Sequence, residues 1–412
     1  MRRWLVCMGA VLVVLGCAGP VRQVPLPEDL GVPKQLQTHQ VIVTLAPATL
    51  EHWASLTTTL ASEYNLSQVG AFPLASLGIQ CVVFQVPTER AVEDIITRLA
   101  ADPRVESVQL NQVFRGLGSI HNDPYATLQY GAQTIRADLA HRRATGKGVK
   151  IAVVDTGVET NHPDLRGRVV ATANFVDGGE QTFAQDSHGT AVAGVIAARA
   201  DNGIGIFGIA PEAELIALKA CWQRAPQAPG ALCSSWTLAK AVDFALQTGA
   251  QVLNFSLAGP PDALLARLIA TAVQRQITIV AAVLEEGERS PGFPASLETV
   301  IAIRTSDPRG QVHSVVGQSA AALAAPGIDI LTTAPHEAYA FLSGSSLAAA
   351  HVTGIVALLL EHEPHLTPAQ VQTLLRTTAQ PTAGAASTAQ RPTGIVDACA
   401  ALEQLLGGQV CP

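Results

Sequence analysis

Three polar side chains with complementary chemistry lie in segments that otherwise consist mainly of small and apolar residues. Asp155 ends the apolar run 151–154, His188 lies in the segment DSHGTAVAG, and Ser346 lies in GSSLAAAHVTG. A serine hydroxyl becomes a nucleophile when an imidazole takes its proton and a carboxylate orients that imidazole. Each residue alone has a simpler interpretation, as a turn cap, a structural histidine or a helix cap. The chemistry therefore requires that all three meet.

Short runs rich in apolar and β-branched residues are expected to position these side chains. From about residue 120 onward such runs alternate with helical stretches, which is typical of a parallel sheet covered on both faces. The runs are 149–154, 215–218, 252–255, 277–283 and 299–303. Functional residues of such sheets follow the carboxyl ends of the strands, where Asp155 lies. Ser346 is expected to begin a helix that is apolar on nearly all sides and crosses the core, at the positive end of its dipole.

Together these segments resemble the subtilisin-like serine proteases, the subtilase family (peptidase S8). The three residues appear in the order Asp, His, Ser of that family. Three further segments match it: VLNFSL at 252–257, APGIDI at 325–330 and TGIVDA at 393–398. The resemblance spans about residues 122–406 and implies an α/β fold with a mostly parallel sheet and helices on both faces. An esterase of the α/β-hydrolase type is excluded, because its chain order is Ser, acid, His.

The resemblance implies a role for each residue. Ser346 is the nucleophile, His188 the general base and then acid, and Asp155 the orienting carboxylate. Polypeptides are the implied substrates, and the chemistry requires no cofactor. The backbone expected to pair with a substrate by strand addition is that of Ser256, Leu257, Ala258 and Gly259.

The chain departs from the family pattern at the oxyanion position. Family members have Ala-Gly-Asn-x-Gly where this chain has Val-Leu-Glu-Glu-Gly, so Glu285 replaces the asparagine and Leu284 replaces the glycine. An ionised carboxylate donates no hydrogen bond, and loss of that donor costs about 10²–10³ in rate, a figure measured on subtilisin. A protonated Glu285 would still donate. Leu284 is expected to narrow the specificity pocket and to favour small side chains.

Two functions remain open. The first is an active endopeptidase that cleaves exported or envelope proteins, favoured by the presence of all three catalytic residue types. The second is a catalytically impaired pseudoprotease that binds peptides or proteins, favoured by Glu285 and Leu284. Nucleic acid is excluded as a partner, because the net charge is −7 and no cluster of Lys and Arg interleaves with aromatic residues.

Residues 37–117 are predicted to form a small separate domain. Strand-like segments at 41–45, 79–87 and 106–114, helical periodicity at 49–64 and 88–101, and a weak strand near 68–72 fit a ferredoxin-like βαββαβ unit. The family resemblance identifies this domain as a propeptide that acts as an intramolecular inhibitor, with processing near residues 115–120. The catalytic domain is expected at 119–408.

The first residues are typical of an export signal. A basic start, Met-Arg-Arg, precedes an apolar run that is too short to span a bilayer. The run ends in Val-Leu-Gly-Cys17, which resembles the bacterial lipobox, so residues 1–17 predict a lipoprotein signal with lipid on Cys17; an ordinary cleaved signal is the alternative. A linker follows at 18–36. We expect an exported protein of the bacterial cell envelope, anchored in the membrane by lipid or periplasmic, and released if processing detaches the anchor.

Two sets of side chains predict stabilising links. Export permits disulfides, and four cysteines form two local pairs: Cys221 with Cys233 and Cys399 with Cys411. Cys81 is then the odd thiol, and free buried thiols are the alternative. Segments similar to the calcium-binding ones of thermophilic subtilases predict a structural calcium site, whose side-chain ligands are Asp123, Asp164 and Asn202. The alternative is that these three are turn residues.

Overall fold

A computed structural model describes residues 39–45, 52–87, 89–111, 121–178, 180–223, 230–284, 290–312, 322–382, 394–408 and 411. The predicted signal with Cys17, the linker and Glu285 lie outside the described residues. The chain divides into two compact units, Met1–Leu117 and Gly118–Pro412, called the N-terminal and C-terminal units below.

The N-terminal unit is an antiparallel sheet with two helices. Its elements are β1 (Gln40–Leu45), α1 (Trp53–Tyr64), β2 (Ser67–Leu74), β3 (Ile79–Gln85), α2 (Val92–Ala100) and β4 (Val105–Leu110), and the strand order is β2-β3-β1-β4. The weak strand predicted near 68–72 is β2. Alternate residues of β1 and the apolar stripe of α2 share one buried core, as their periodicities require. This order of elements is that of a ferredoxin-like unit.

The C-terminal unit is built around a seven-stranded sheet. Its strands are β5 (Lys150–Asp155), β6 (Val169–Asn174), β7 (Glu214–Lys219), β8 (Cys221–Trp222), β9 (Leu232–Cys233), β10 (Val252–Phe255), β11 (Thr278–Ala282), β12 (Ile301–Ser306), β13 (Leu323–Pro326), β14 (Ile330–Ala334) and β15 (Ala338–Leu342). The main sheet has the order β13-β12-β11-β10-β5-β7-β6, and all of its pairings are parallel. The predicted α/β fold is therefore present.

Helices cover both faces of this sheet. They are α3 (Tyr130–Thr134), α4 (Ala137–Ala140), α5 (Ser187–Ala197), α6 (Ser235–Ala245), α7 (Ala263–Gln274), α8 (Ser345–His362), α9 (Pro368–Thr378) and α10 (Ala398–Leu406). Residues of α5 and α8 belong to one buried core, and residues of α6 and α7 belong to the core on the opposite face. Every residue of α8 from Leu347 to Leu360 is buried, as the apolar sequence predicts. Within the described residues α8 alone is long and apolar enough to cross a membrane, and 78% of it is buried in the protein.

The two predicted disulfides are present in the C-terminal unit. Cys221 and Cys233 join the short hairpin of β8 and β9, and Cys399 joins Cys411 beyond the end of α10. Cys81, on β3 of the N-terminal unit, is a buried free thiol, and burial raises its pKa. The odd cysteine therefore lies in the core, where a small apolar side chain is favoured.

Candidate active site

The end of β5 and the start of α5 bring Asp155 and His188 into direct contact. Nδ1 of His188 lies 2.7 Å from Oδ1 of Asp155. Since an ionised carboxylate only accepts, Nδ1 carries the proton, which leaves the lone pair of a neutral imidazole on Nε2. Oδ1 of Asp155 also accepts from the backbone N of Thr156 at 2.6 Å, and Oδ2 is buried without a partner among the described residues. The carboxylate is thus fixed in direction and its charge is directed at His188.

Two glycines allow this contact. A Cβ on Gly189 would lie 2.5 Å from the carbonyl O of Gly157 and 2.8 Å from that of Thr156, closer than such atoms approach. A Cβ on Gly157 would collide with the backbone of Phe183. The backbone after β5 therefore packs directly against the backbone at the start of α5, which places Asp155 beside His188.

A buried ion pair lies behind the same contact. Nζ of Lys219 contacts Oδ2 of Asp186, and both side chains are almost fully buried. Lys219 is the register partner of Asp155 across the β5–β7 pairing, and Asp186 also accepts from the backbone N of Gly157 at 2.7 Å. A buried charge without its partner is costly, so this pair fixes the loop before α5 onto the strand beside β5.

The protonation of His188 is set by two opposing effects. Burial lowers the pKa of the imidazole, but the charge of Asp155 and the hydrogen bond to it outweigh burial and leave the pKa raised above its ordinary value. At a pH above that value His188 is neutral and can accept a proton at Nε2. The geometry thus provides an oriented general base.

Ser346 lies in the first turn of α8. Gly344, with φ 155° and ψ 156°, adopts a conformation that favours glycine and directs the chain from β15 into the helix. Oγ of Ser346 donates to the backbone O of Ser256 at 3.0 Å, and Oγ of Ser256 donates in turn to the backbone O of Ser346 at 2.9 Å. Because its hydroxyl hydrogen is directed at Ser256, this hydrogen must turn away from Ser256 before Ser346 can donate to an imidazole.

A buried polar network holds Ser256 in place. Nδ2 of Asn254 donates to Oγ of Ser256 at 2.9 Å, and Oγ1 of Thr353 donates to Oδ1 of Asn254 at 2.8 Å. The network joins the end of β10 to α8, so it fixes the start of the helix that carries Ser346 relative to the sheet.

All three predicted residues line one cleft of about 560 Å³. Ser256, Leu257, Ala258 and Gly259 line the same cleft, together with Cys221 and Cys233 of the disulfide-bonded hairpin. Gly259 exchanges two backbone hydrogen bonds of 2.8 Å with Phe293. Its backbone N–H and C=O are therefore paired within the protein, and substrate pairing along 256–259 stays a prediction.

Comparison with known proteins agrees with this geometry. The family profile described as "Subtilase family" matches residues 146–396. The chain belongs to the subtilase family. Thermitase of Thermoactinomyces vulgaris is 38% identical over 58% of this chain and 84% of that protein, and a thermophilic serine proteinase of Bacillus sp. (strain AK1) is 33% identical over 71% of this chain and 73% of that protein. The solved structure of a protease from Pseudoalteromonas arctica matches 70% of this chain over its own full length, with a TM-score of 0.59 and 24% sequence identity. This match shows the fold.

Leu284 is the residue that the sequence predicts to narrow the specificity pocket. Its backbone N donates to the O of Pro291 at 2.9 Å. A Cβ on Gly292 would lie 3.0 Å from Cβ of Ala258 and 3.2 Å from Cβ of Leu284, so those two side chains flank Gly292. Leu284 therefore lies beside the wall of the cleft, where the sequence predicts a narrowed pocket. Glu285, the next residue, lies outside the described residues, and its role stays a prediction.

The three residues predicted to bind calcium meet at the loop of residues 201–206. Asp123 accepts from the backbone N of Asn202 at 3.2 Å, and Asp164 accepts from Nδ2 of Asn202 at 2.9 Å. Asp164 also accepts from the hydroxyl of Tyr339 and the backbone N of Ile206, both at 2.9 Å. Calcium requires oxygen ligands, but here Asn202 presents its NH₂ group to Asp164. Asn202 thus bonds to Asp164 through its side chain, whereas Asp123 bonds to backbone N–H groups of the loop; the calcium site stays a prediction.

The fold also reveals residues that the sequence did not indicate. Lys219 follows an apolar run and gives no sign of burial, and Asp186 precedes His188 by two positions without a distinct pattern. Their pairing depends on β5 and β7 being neighbours, which residue types alone do not determine. A lysine at the carboxyl end of a buried strand is the signal that could have suggested it.

Proposed function

We propose that this chain is a serine endopeptidase that hydrolyses peptide bonds through Asp155, His188 and Ser346. The observation that carries the proposal is the hydrogen bond from His188 to Asp155 in a cleft that Ser346 also lines. Membership of the subtilase family supports it, and two of the three relatives described above are named as a serine proteinase and a protease.

The mechanism follows from the directions of these groups. A peptide that pairs with the backbone of 256–258 competes with Ser346 for the carbonyl O of Ser256, so its binding favours rotation of the hydroxyl toward His188. Nε2 of His188 then takes the proton as Oγ attacks the scissile carbonyl, and the imidazolium is stabilised by Asp155. The same nitrogen gives the proton to the leaving amine, and water hydrolyses the resulting acyl-enzyme with His188 again as base.

The oxyanion would be stabilised at the start of α8, where backbone N–H groups and the helix dipole favour negative charge. Glu285 adds a donor only when protonated. We therefore expect Glu285→Asn to raise kcat/KM at neutral pH by up to about 10²–10³, and Glu285→Gln to give a similar but smaller gain. An unchanged or lower kcat/KM in both variants would contradict this role of Glu285.

A fluorophosphonate probe tests the nucleophile directly, because it modifies only an activated serine. We expect labelling of the wild-type chain, loss of labelling in Ser346→Ala, and normal labelling in Ser345→Ala, which removes the neighbouring hydroxyl as a matched control. Labelling of Ser346→Ala at the wild-type rate would contradict the proposal.

The second candidate function is a pseudoprotease that binds polypeptides without cleaving them. It is favoured by the direction of the Ser346 hydroxyl, which donates to Ser256, and by Glu285. Membrane fractions separate the two functions. A shorter wild-type product that is absent from Ser346→Ala supports self-processing, whereas identical full-length bands support the pseudoprotease.

We propose in addition that the N-terminal unit is an inhibitory propeptide and that lipid on Cys17 anchors the exported chain in the envelope membrane. The compact βαββαβ unit and the signal-like start support these roles. Radioactive palmitate should label the wild-type chain and not Cys17→Ser, with Cys7→Ser as the control. Added N-terminal unit should inhibit the processed protease, and unchanged cleavage would contradict its inhibitory role.

A further inference from the structure

One of the two disulfides lies in the wall of the catalytic cleft. Cys221 and Cys233 line this cleft together with His188 and Ser346. Cys221 is buried, whereas Cys233 is only half-buried. Exposed disulfides are the ones that thiols reduce most readily, so we expect a small thiol in the cleft to reach this bond at Cys233.

The other disulfide provides an internal comparison. Cys399 and Cys411 are 0% and 4% exposed, and neither lines the cleft. Both disulfides close loops of the same length, with a sequence separation of 12. Loop length determines the chain-entropy part of the stabilisation by a disulfide, so this part is equal for the two. A different response to reduction therefore reports the position and the access of each bond.

The hairpin that carries Cys221 is very short. β8 and β9 have two residues each, and they pair Cys221 with Cys233 and Trp222 with Leu232. A two-stranded ribbon of this size is at most marginally stable by itself. We therefore expect the disulfide to hold β8 against β9, and its reduction to loosen their pairing.

Gln223 follows β8 directly and links the hairpin to the helix of His188. Oε1 of Gln223 accepts from the backbone N of Ser187 at 3.0 Å, and its Nε2 donates to Oγ of Ser187 at 2.7 Å. Ser187 is the first residue of α5 and precedes His188. The first N–H groups of a helix have no partner within the helix, so Gln223 supplies one from another segment. A displacement of Gln223 would thus be felt beside the imidazole.

We propose that the disulfide of Cys221 and Cys233 is a redox control on the catalytic cleft, with Gln223 as the positioning residue that transmits its state to His188. The oxidised form holds Gln223 on Ser187 and is the active form. The reduced form loosens this link and is less active. The inference rests on the proposed function of the cleft and adds a means of regulating it.

The reductant is a dithiol, which supplies both electrons. One thiolate of the dithiol attacks Sγ of Cys233, the sulfur–sulfur bond breaks, and Cys221 leaves as a thiolate that takes a proton. The second thiolate of the dithiol then attacks the dithiol sulfur of the mixed disulfide. Cys233 leaves and takes a proton, and the dithiol becomes a disulfide. The protein gains two electrons and two protons, and an oxidant of the disulfide class reverses the step.

The first measurement requires no turnover. The full chain is used in the Ser346→Ala form, which prevents self-cleavage, and dithiothreitol is the dithiol. Alkylation followed by peptide mass analysis identifies the reduced cysteines, and proton NMR follows the Nδ1 resonance of His188, which the variant His188→Gln assigns. We expect Cys221 and Cys233 to be reduced first and the resonance to shift or broaden in step with their reduction.

Two outcomes of this measurement would overturn the proposal. Reduction of the buried disulfide at the same rate as that of Cys221 and Cys233 would contradict the argument from access. An unchanged resonance of His188 after complete reduction of the cleft disulfide would show that its state does not reach the imidazole.

The second measurement compares two double variants in the chain that retains Ser346. Cys221→Ala with Cys233→Ala imitates the reduced form, and Cys399→Ala with Cys411→Ala is the matched control with the same loop length. The rate of fluorophosphonate labelling is measured per folded molecule, with folding followed by circular dichroism. We expect a fall of about 10–10²-fold in the first variant and a rate within about threefold of wild type in the control. Equal rates in the two variants would contradict the proposal.

Gln223→Met tests the transmission, because methionine has a similar length but cannot form these two hydrogen bonds. We expect the oxidised variant to label as slowly as the reduced wild-type chain and to lose no more on reduction, since both changes break the same link. Gln223→Glu keeps an acceptor for the backbone N of Ser187 and should keep the response to dithiothreitol. A full response in Gln223→Met would exclude Gln223 as the link.

Failure of the inference can be distinguished from failure of the proposed function. Absence of labelling in the oxidised wild-type chain would contradict the proposed function alone. The resonance of His188 in the Ser346→Ala form would still decide whether the state of the disulfide reaches the imidazole.

Discussion

Replacement of Gly189 by alanine tests whether close backbone packing positions the imidazole of His188. The new Cβ would lie 2.5 Å from the carbonyl O of Gly157 and must move back by roughly 0.9 Å to reach ordinary van der Waals contact. If that displacement falls on the hydrogen bond of 2.7 Å from His188 to Asp155, the separation becomes roughly 3.6 Å, at which no hydrogen bond remains. Overpacking should lower the free energy of unfolding by about 1–3 kcal/mol. The higher helix propensity of alanine offsets up to about 1 kcal/mol of this loss.

The expected loss in kcat/KM follows from that displacement. A misplacement of about 1 Å costs about 10²-fold, and complete loss of the correct tautomer costs about 10⁴-fold in a serine protease triad. We expect the loss of kcat/KM in Gly189→Ala, measured with a fluorogenic peptide substrate, to lie between these two limits. Proton NMR provides a second measurement that is independent of turnover, because the Nδ1 proton of His188 should lose its strongly downfield resonance.

Gly194→Ala is the matched control, because it lies on the same helix. Its Cβ would collide with Oγ1 of Thr333 on β14, a side chain that donates to the backbone O of Thr190. We therefore expect a comparable loss of stability with retained activity per folded molecule. Gly189→Ala with kcat/KM within about threefold of wild type and an unchanged Nδ1 resonance would refute the packing argument. Equal losses of activity in both variants would assign the effect to general destabilisation.

Three further outcomes are expected. The kcat/KM of the wild-type chain should rise with pH through a midpoint above the ordinary histidine value of about 6.5, because neutral His188 is the active form and its carboxylate partner raises the pKa; a midpoint below 6 would contradict this. Thr353→Val should lower the free energy of unfolding by about 1–3 kcal/mol, since Asn254 loses its buried donor, and an unchanged denaturation midpoint would argue against the network. Lys219→Met should cost about 3–5 kcal/mol by leaving the charge of Asp186 buried, and the double variant with Asp186→Asn should regain most of that loss.

The sequence indicated the main strands because their residues are buried on both faces. The run 149–154 became β5, which lies one residue later at each end, and 252–255 became β10 with its predicted bounds. β6 was not predicted, since as the edge strand of the sheet it mixes exposed and half-buried residues, and β13, Leu-Ala-Ala-Pro, lacks the β-branched residues that identify a strand.

The candidate site was predictable to the extent that its residues carry local sequence patterns. The glycines and alanines around His188 and Ser346 are visible because close packing requires small residues over several consecutive positions. The contact of Lys219 with Asp186 has no such pattern. It depends on segments distant in sequence that the fold brings together.

The two halves of the site are held by different forces, and this separation has consequences for how they fail. Asp155 and His188 are positioned by backbone contact and by the ion pair of Lys219 with Asp186, which depend on packing and on burial of charge. Ser346 is positioned by neutral hydrogen bonds from β10 to α8. A substitution at Asn254 or Thr353 should therefore displace Ser346 while the bond from His188 to Asp155 persists. A substitution at the ion pair should instead weaken the bond from His188 to Asp155 and leave Ser346 in place. The carbonyl of Ser256 holds the Ser346 hydroxyl, so we expect a substrate that occupies this acceptor to release the hydroxyl, which links peptide binding to the availability of Ser346.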